Sequence, residues 1–150
     1  MIARMRHELS CGVLLFQNRP RRSVLLLVDG DRLDLPKGHI KRGESELDCA
    51  WRELEEETGI PQRLVTLDRE FRFSVTYHPK RDVEKTVTLF AGEVEGPCVV
   101  KTPEHDDYVW LAYAPPHDLY EFPTIHNALL AWEHHVTSAV ATVARGRRAS

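Results

Sequence analysis

Four glutamates fall within five consecutive positions of this chain, Glu53, Glu55, Glu56 and Glu57, in a stretch that also has an apolar side. Glu53, Glu56 and Glu57 stand at i, i+3 and i+4, so three carboxylates share one helical face about one turn long. At roughly 5–6 Å, a like-charged pair costs about 3 kcal/mol at an effective dielectric near 20, and much less when fully solvated. The face is therefore either kept wet or used to hold a cation. Carboxylate ligands suit magnesium or manganese, which retain waters and bridge to substrate phosphates.

The elements around this face must position it. A helix from about Glu44 to Thr58 ends at Gly59 as a C′ residue, with Pro61 just beyond. At 100° per residue from Glu53, the residues Leu47, Ala50, Trp51, Leu54 and Thr58 fall between about 60° and 160°. That stripe docks on a sheet while the carboxylates line the groove beside it. Arg52, near 260°, reaches one carboxylate and orients it without neutralising the group.

Leu9–Phe16 and Ser23–Val28 read as neighbouring strands, the second buried on both faces. Asp29-Gly30-Asp31 is a turn, and Leu33–Leu35 is a brief extended piece stopped by Pro36. Lys37-Gly38-His39 then leads into a loop through Gly43. Arg69–Tyr77 alternates strictly, with Phe71, Phe73, Val75 and Tyr77 on one side. The stretch HPKRDVEK links it as a hairpin to Thr86–Val94, and a further strand covers Tyr108–Leu111. Ile125, Ala128, Leu129, Trp132, Val136, Ala139 and Val143 recur at helical spacing, with Pro123 near the first turn. The expected class is α/β (α+β), a mixed sheet covered by helices on both faces.

Bulk properties bound the rest. A chain of 150 residues is expected to form one domain, with flexible tails at about 1–8 and 145–150. A net charge of −3 gives no global attraction to nucleic acid or anionic membrane, so a polyanionic substrate must be held by local cations. Cys11, Cys49 and Cys98 lack Cys-x-x-Cys spacing and read as reduced thiols rather than a disulfide framework or a zinc site. No apolar run approaches the roughly 20 residues that span a bilayer. The N-terminus lacks the apolar core of a signal peptide, and a cytoplasmic location is expected. The oligomeric state is open.

The segment from Gly38 to Ile60 carries more than its carboxylates. Gly38, Glu44, Arg52, Glu53, Leu54, Glu56, Glu57, Gly59 and Ile60 fill every specified position of the Nudix box. With single-residue usages of about 5–7%, a chance match is on the order of 10⁻⁷. The resemblance implies a Nudix fold, in which a mixed β-sheet is sandwiched between helices (α/β/α). It also implies hydrolysis of a nucleoside diphosphate linked to a further group. By that resemblance Glu53, Glu56 and Glu57 are metal ligands, with the Gly38 carbonyl a further one. Glu44 and Arg52 tie the loop to the helix. A carboxylate beside the metal serves as general base, and the catalytic candidates are Glu56, Glu57 and Glu104.

Residues outside the box narrow the substrate. Ser10-Cys11-Gly12-Val13, Pro36-Lys37-Gly38-His39, Lys85-Thr86-Val87, and Glu104-His105 with Tyr108 and Trp110 run from about residue 9 to 112. Together they resemble the asymmetrical diadenosine tetraphosphate hydrolases, which implies cleavage to ATP and AMP. Lys37 and Lys85 are then phosphate ligands, or else ordinary solvated lysines. His39 contacts a bridging phosphate or caps the loop. Tyr77 stacks on adenine, donates its hydroxyl to phosphate, or packs with Phe71 and Phe73. Tyr120 and Phe122 are candidates for a second aromatic platform. His78, Lys80 and Arg81 read equally as a wet hairpin tip.

The expected partner is a small nucleotide, with no nucleic acid as main partner and no membrane. Competing substrates are damaged nucleoside triphosphates, capped RNA 5′ ends and diphosphoinositol polyphosphates. The weak basic character argues against long RNA, and no dense Lys/Arg cluster suits a highly phosphorylated inositol. A non-catalytic nucleotide sensor would be marked by loss of a box glutamate, and none is lost.

Overall fold

The way the first two strands pair, and then part, fixes where the site can lie. The computed structural model describes residues 4–18, 22–95, 100–102, 104–112, 119 and 121–149, with backbone alone for 141–149. Strands β1 (Arg6–Gln17) and β2 (Ser23–Asp29) pair antiparallel at Phe16↔Val24 and Gln17↔Ser23. Beyond that they diverge. β3 (Arg32–Asp34) stays on β2, and β4 (Lys37–His39) takes the vacated edge of β1, with Ser10↔His39, Cys11↔Gly38 and Gly12↔Lys37 opposed.

The other edge of β1 pairs along its whole length, in parallel, with β6 (Val83–Val94). β6 pairs antiparallel with β5 (Val65–Lys80), and β7 (Asp107–Ala112) pairs antiparallel with β2. The result is a seven-stranded mixed sheet. A mixed sheet and helices in one chain are the fold class that the Nudix resemblance implies. Both β1 and β2 are buried on both faces through their centres, which was expected of β2 alone.

Helix α1 (Glu46–Thr58) starts two residues later than expected, because Ser45 is its N-cap. The Ser45 hydroxyl accepts from the Asp48 N–H at 3.0 Å, and Glu46 and Asp48 place negative charge in the first turn, where the helix dipole favours it. Gly59 closes the helix as read from sequence, at φ +74°, a left-handed conformation that costs glycine little. Cys49, Ala50 and Leu54 bury their side chains among Cys11, Val13, Leu15 and Leu25. Burying a side chain such as Leu54 stabilises by about 1.5–3 kcal/mol. Thr58, also buried, satisfies its hydroxyl by donating to the Leu54 carbonyl at 2.6 Å and accepting from the Ile60 N–H at 3.1 Å.

Three strands run further than the sequence pattern indicated. β1 begins at Arg6, inside the segment expected to be a flexible tail, because Arg6 and His7 find partners in Val83 and Glu84. β5 reaches Lys80 and β6 starts at Val83, so the expected HPKRDVEK loop shrinks to a turn at Arg81 and Asp82. Polar cross-strand pairs sustain the hairpin there, including Thr76 Oγ1 and Thr86 Oγ1 at 2.9 Å. The strict alternation of β5 is interrupted by register shifts between Asp68 and Phe73 and between Tyr77 and Lys80.

Residues group into two units, Met1–Tyr113 and Ala114–Ser150. The second contains α2 (Pro123–Ala149), which opens on Pro123 and buries Ile125, Ala128, Leu129 and Trp132. In the expected apolar stripe Val136 is half-buried and Ala139 exposed, and the side chain of Val143 lies outside the described residues. The helical backbone continues through Ala149, into the basic tail expected to be flexible. No proline interrupts this stretch, and its one glycine, Gly146, lies within the helical backbone. No helix among the described residues is long and apolar enough to cross a membrane. Cys98 and Tyr120 lie outside the described residues.

Candidate active site

β4 is three residues long and presents two surfaces. Gly38 faces α1, where an added Cβ would overlap the Glu53 carboxylate. Glycine here lets a carboxylate lie directly on the strand backbone. The Gly38 carbonyl accepts a weak bond from the Cys49 thiol at 3.5 Å. Lys37 and His39 alternate to the opposite surface, and the sheet register puts Glu8, Lys85 and Tyr77 there with them. The four expected substrate contacts, Lys37, His39, Tyr77 and Lys85, thus share one face of the sheet.

On the α1 side, Arg52 binds more than the single carboxylate expected of it. Its Nε and Nη2 make a bidentate pair with Glu44 at 2.7 and 2.9 Å. Nη1 donates to Glu53 Oε1 at 2.8 Å and to Glu56 Oε2 at 3.0 Å, and Nη2 also donates to the His39 carbonyl at 3.0 Å. The guanidinium fork has five N–H donors in one plane, which lets one arginine serve three carboxylates and a carbonyl. Hydrogen bonding to Arg52, with a further bond from the Lys41 N–H, holds the Glu44 carboxyl down at about 2. The tie between loop and helix expected of Glu44 and Arg52 is present.

Glu57 is in the opposite condition. It is 9% exposed, and its Oε2 accepts from the Lys37 N–H at 3.1 Å. Burial pushes its carboxyl up to about 7, partly offset by His105 and the Lys37 N–H and reinforced by Glu53 and Asp34. A buried carboxylate in that state is short of positive charge. Among the described residues no group of three or more acidic, His or Cys side chains is already closed around a cation position. With Glu53 and Glu56 turned to Arg52, the guanidinium stands where charge compensation is required. The donor set nonetheless fits a hard cation: carboxylate oxygens from Glu53, Glu56 and Glu57 beside a strand backbone with no Cβ in the way.

The cationic side of the site is also under strain. Lys85 is pulled below the usual lysine range by burial and then by the charge of Lys37. Lys37 Nζ is held by Asp34 Oδ2 at 3.1 Å. An anion between these lysines would relieve their repulsion. Tyr77 is 38% exposed and opposes Lys85 across the strands, so its ring is not packed into the core with Phe71. The His39 ring is exposed, 3.9 Å from Glu8, and it is the backbone of His39 that ties the loop to Arg52.

Glu104, expected to be catalytic, is exposed on the loop before β7. Its neighbour His105 is the residue that turns inward. His105 Nδ1 lies 2.5 Å from Asp29 Oδ2, and Nε2 lies 3.7 Å from Glu57 Oε1. The hydrogen bond to Asp29 and the charges of Glu57 and Asp29 raise the imidazole against its burial, the largest single influence. In sequence His105 belongs only to the wider family pattern, and nothing local marks it as a neighbour of the box. A groove of about 1230 Å³ along Leu47, Trp51, Phe71 and Phe90 holds none of Glu53, Glu56 or Glu57 in its lining.

A mixed sheet carrying a carboxylate-faced helix against a lysine-bearing strand defines a Nudix hydrolase. The sequence matches the NUDIX domain over residues 6–132, and the chain belongs to that family. It is 30% identical over 136 residues to the asymmetrical bis(5′-nucleosyl)-tetraphosphatase of Mus musculus, covering 80% of this chain and 89% of that protein. A shorter match, 40% over 58 residues, links it to the mRNA-decapping protein g5R of African swine fever virus, covering 39% of this chain and 24% of that protein. Its fold superposes on a C. elegans Ap4A hydrolase binary complex with a TM-score of 0.77 at 20% identity, covering 87% of this chain and 98% of that one.

Proposed function

We propose that this chain hydrolyses a dinucleoside polyphosphate, taking diadenosine tetraphosphate to ATP and AMP. The observation that carries this reading is the structure of β4, where three residues meet the Glu53 and Glu57 carboxylates on one side and present Lys37 and His39 on the other. The likeness to the mouse tetraphosphatase supports the substrate. We read the whole chain as one Nudix domain, because the family match crosses both units.

Glu53, Glu56, Glu57 and the Gly38 carbonyl would hold magnesium or manganese. When bound, that cation supplies neutralisation of phosphate charge and activation of water for in-line attack on phosphorus. The protein's own groups do the rest. Lys37 and Lys85 hold the phosphate chain from the far surface of the sheet. Tyr77, exposed beside Lys85, offers a ring to stack on adenine or a hydroxyl to a phosphate oxygen. The proton of the attacking water passes to a carboxylate among Glu56, Glu57 and Glu104. Arg52, anchored by Glu44, keeps Glu53 and Glu56 oriented by direct hydrogen bonds.

A second reading retains the box and changes the substrate to a capped RNA 5′ end, which the match to the viral decapping protein favours. A panel of diadenosine tetraphosphate, damaged nucleoside triphosphates, capped RNA and diphosphoinositol polyphosphate, with products resolved by chromatography, separates them. ATP and AMP in equal amounts from diadenosine tetraphosphate are expected. If it is inert while another substrate turns over, the substrate assignment is wrong.

A further inference from the structure

The loop before β7 is tied to the β2–β3 turn by a set of reciprocal bonds. The Asp106 N–H donates to the Val28 carbonyl at 3.0 Å and to Asp29 Oδ1 at 3.3 Å, and the Gly30 N–H donates back to Asp106 Oδ2 at 2.9 Å. These bonds hold in place a side chain that the proposed reaction does not use. His105 is mostly buried, with Nδ1 bound to the second oxygen of Asp29. Its Nε2 is buried without a hydrogen-bond partner and faces Glu57 Oε1 at 3.7 Å.

We propose that Asp29 and His105 form a positioning pair that fixes the Glu57 carboxylate for its cation. The inference rests on the reading of Glu57 as a metal ligand. Glu57 is then held between two elements, by the Lys37 N–H at Oε2 and by the His105 ring at Oε1. Each carboxylate oxygen has a second lone pair, so both contacts leave a site for a cation. At 3.7 Å the His105 contact is longer than a hydrogen bond, and the ring, once anchored by Asp29, limits the orientations open to the Glu57 carboxylate. Asp29 contributes by fixing the ring, as outer carboxylates fix histidines around metal sites. Packing alone would not require both ring nitrogens to face carboxylates, one on β2 and one on α1.

The test is a double-mutant cycle read as equilibrium Mn²⁺ binding to purified protein, with melting curves as a control for folding. His105→Phe keeps the ring volume and removes both nitrogens. Asp29→Ala removes the anchor, while Asp29→Asn keeps an oxygen that accepts from Nδ1–H. His105→Phe and Asp29→Ala are each expected to weaken Mn²⁺ binding about tenfold. The double variant should be no weaker than His105→Phe, and Asp29→Asn should restore most of the loss. In the metal-free protein a downfield proton resonance on His105 Nδ1 should be present and should vanish in Asp29→Ala. Unchanged Mn²⁺ binding in His105→Phe, or additive losses in the double variant, would overturn the pair. Glu57→Gln in the same assay separates the two readings. If it binds Mn²⁺ like the unmodified chain, the ligand assignment falls and takes the pair with it. If it binds weakly while His105→Phe does not, only the pair falls.

Discussion

Glu44 and Glu57 belong to the same box, one in the loop before α1 and one in its last turn, and the fold treats them in opposite ways. Glu44 is complete within the protein. A bidentate arginine and a backbone N–H saturate it and hold its carboxyl at about 2. Glu57 is buried, takes one backbone N–H and a distant imidazole, and is pushed up to about 7. The difference sets the carboxylate that ties the loop to the helix apart from the one proposed to hold the cation. A carboxylate whose partners are all internal holds structure together. One buried without enough positive charge is the better candidate for the cation that the proposed function requires.

The sharpest way to break this contrast is to neutralise each carboxylate in turn. Glu57→Gln removes a proposed ligand while keeping the shape of the side chain. Magnesium-dependent turnover should fall by roughly 10²–10³, with circular dichroism unchanged. Glu44→Gln should reduce turnover much less and lower the melting temperature instead, since it frees one side of the Arg52 fork. Near-normal turnover in Glu57→Gln, or a larger loss in Glu44→Gln, would erase the distinction.

Arg52 joins the two conditions, because the guanidinium that completes Glu44 also neutralises Glu53 and Glu56. In Arg52→Ala those carboxylates repel without compensation. The metal-free melting temperature should fall by roughly 5 °C or more, on the scale of about 2–4 °C per kcal/mol for a chain of this size. Saturating magnesium binds the native state and should recover a larger part of the melting temperature than it adds to the unmodified chain. If magnesium shifts both proteins equally, Arg52 is not standing in for the cation.

What the sequence disclosed and withheld follows from the range of the interactions. Gly59 acts within its own turn, so the C-terminal stop of α1 was legible from local spacing; the N-cap Ser45 was not singled out, and the Glu44–Arg52 tie was expected only from the family resemblance. The apolar side of α1 was legible for the same reason, since one helical period fixes which residues point inward. β4 was not. Three residues with a glycine at the centre carry no strand signal, and only the divergence of β1 from β2 gives them an edge to pair with. The true hairpin turn was hidden because Lys80 and Lys85 are polar enough to read as loop, yet pair across the strands. His105 was hidden most thoroughly. Its partner Asp29 is 76 positions away, and Glu104 beside it looked like the more chemical residue.

The smallest effect expected is in the pH dependence of stability, and it carries opposite signs at the two carboxylates. Glu44 has its folded value lowered, so its contribution is present above an ordinary glutamate value and is lost as pH falls toward about 2. Glu57 has its folded value raised, so its contribution is present below about 4.5 and is lost as pH rises through about 7. His105, also raised, loses its contribution in the same direction. In the metal-free protein, glutamine at position 57 mimics the protonated acid at every pH. The melting temperature of Glu57→Gln should therefore match the unmodified chain near pH 4, rise above it through pH 5–7, and keep a constant lead at higher pH. Magnesium should remove that lead, because the cation stabilises the ionised carboxylate that burial disfavours. A lead that is absent in metal-free protein at pH 8 would mean that Glu57 is already satisfied by the fold, and it would then belong with Glu44.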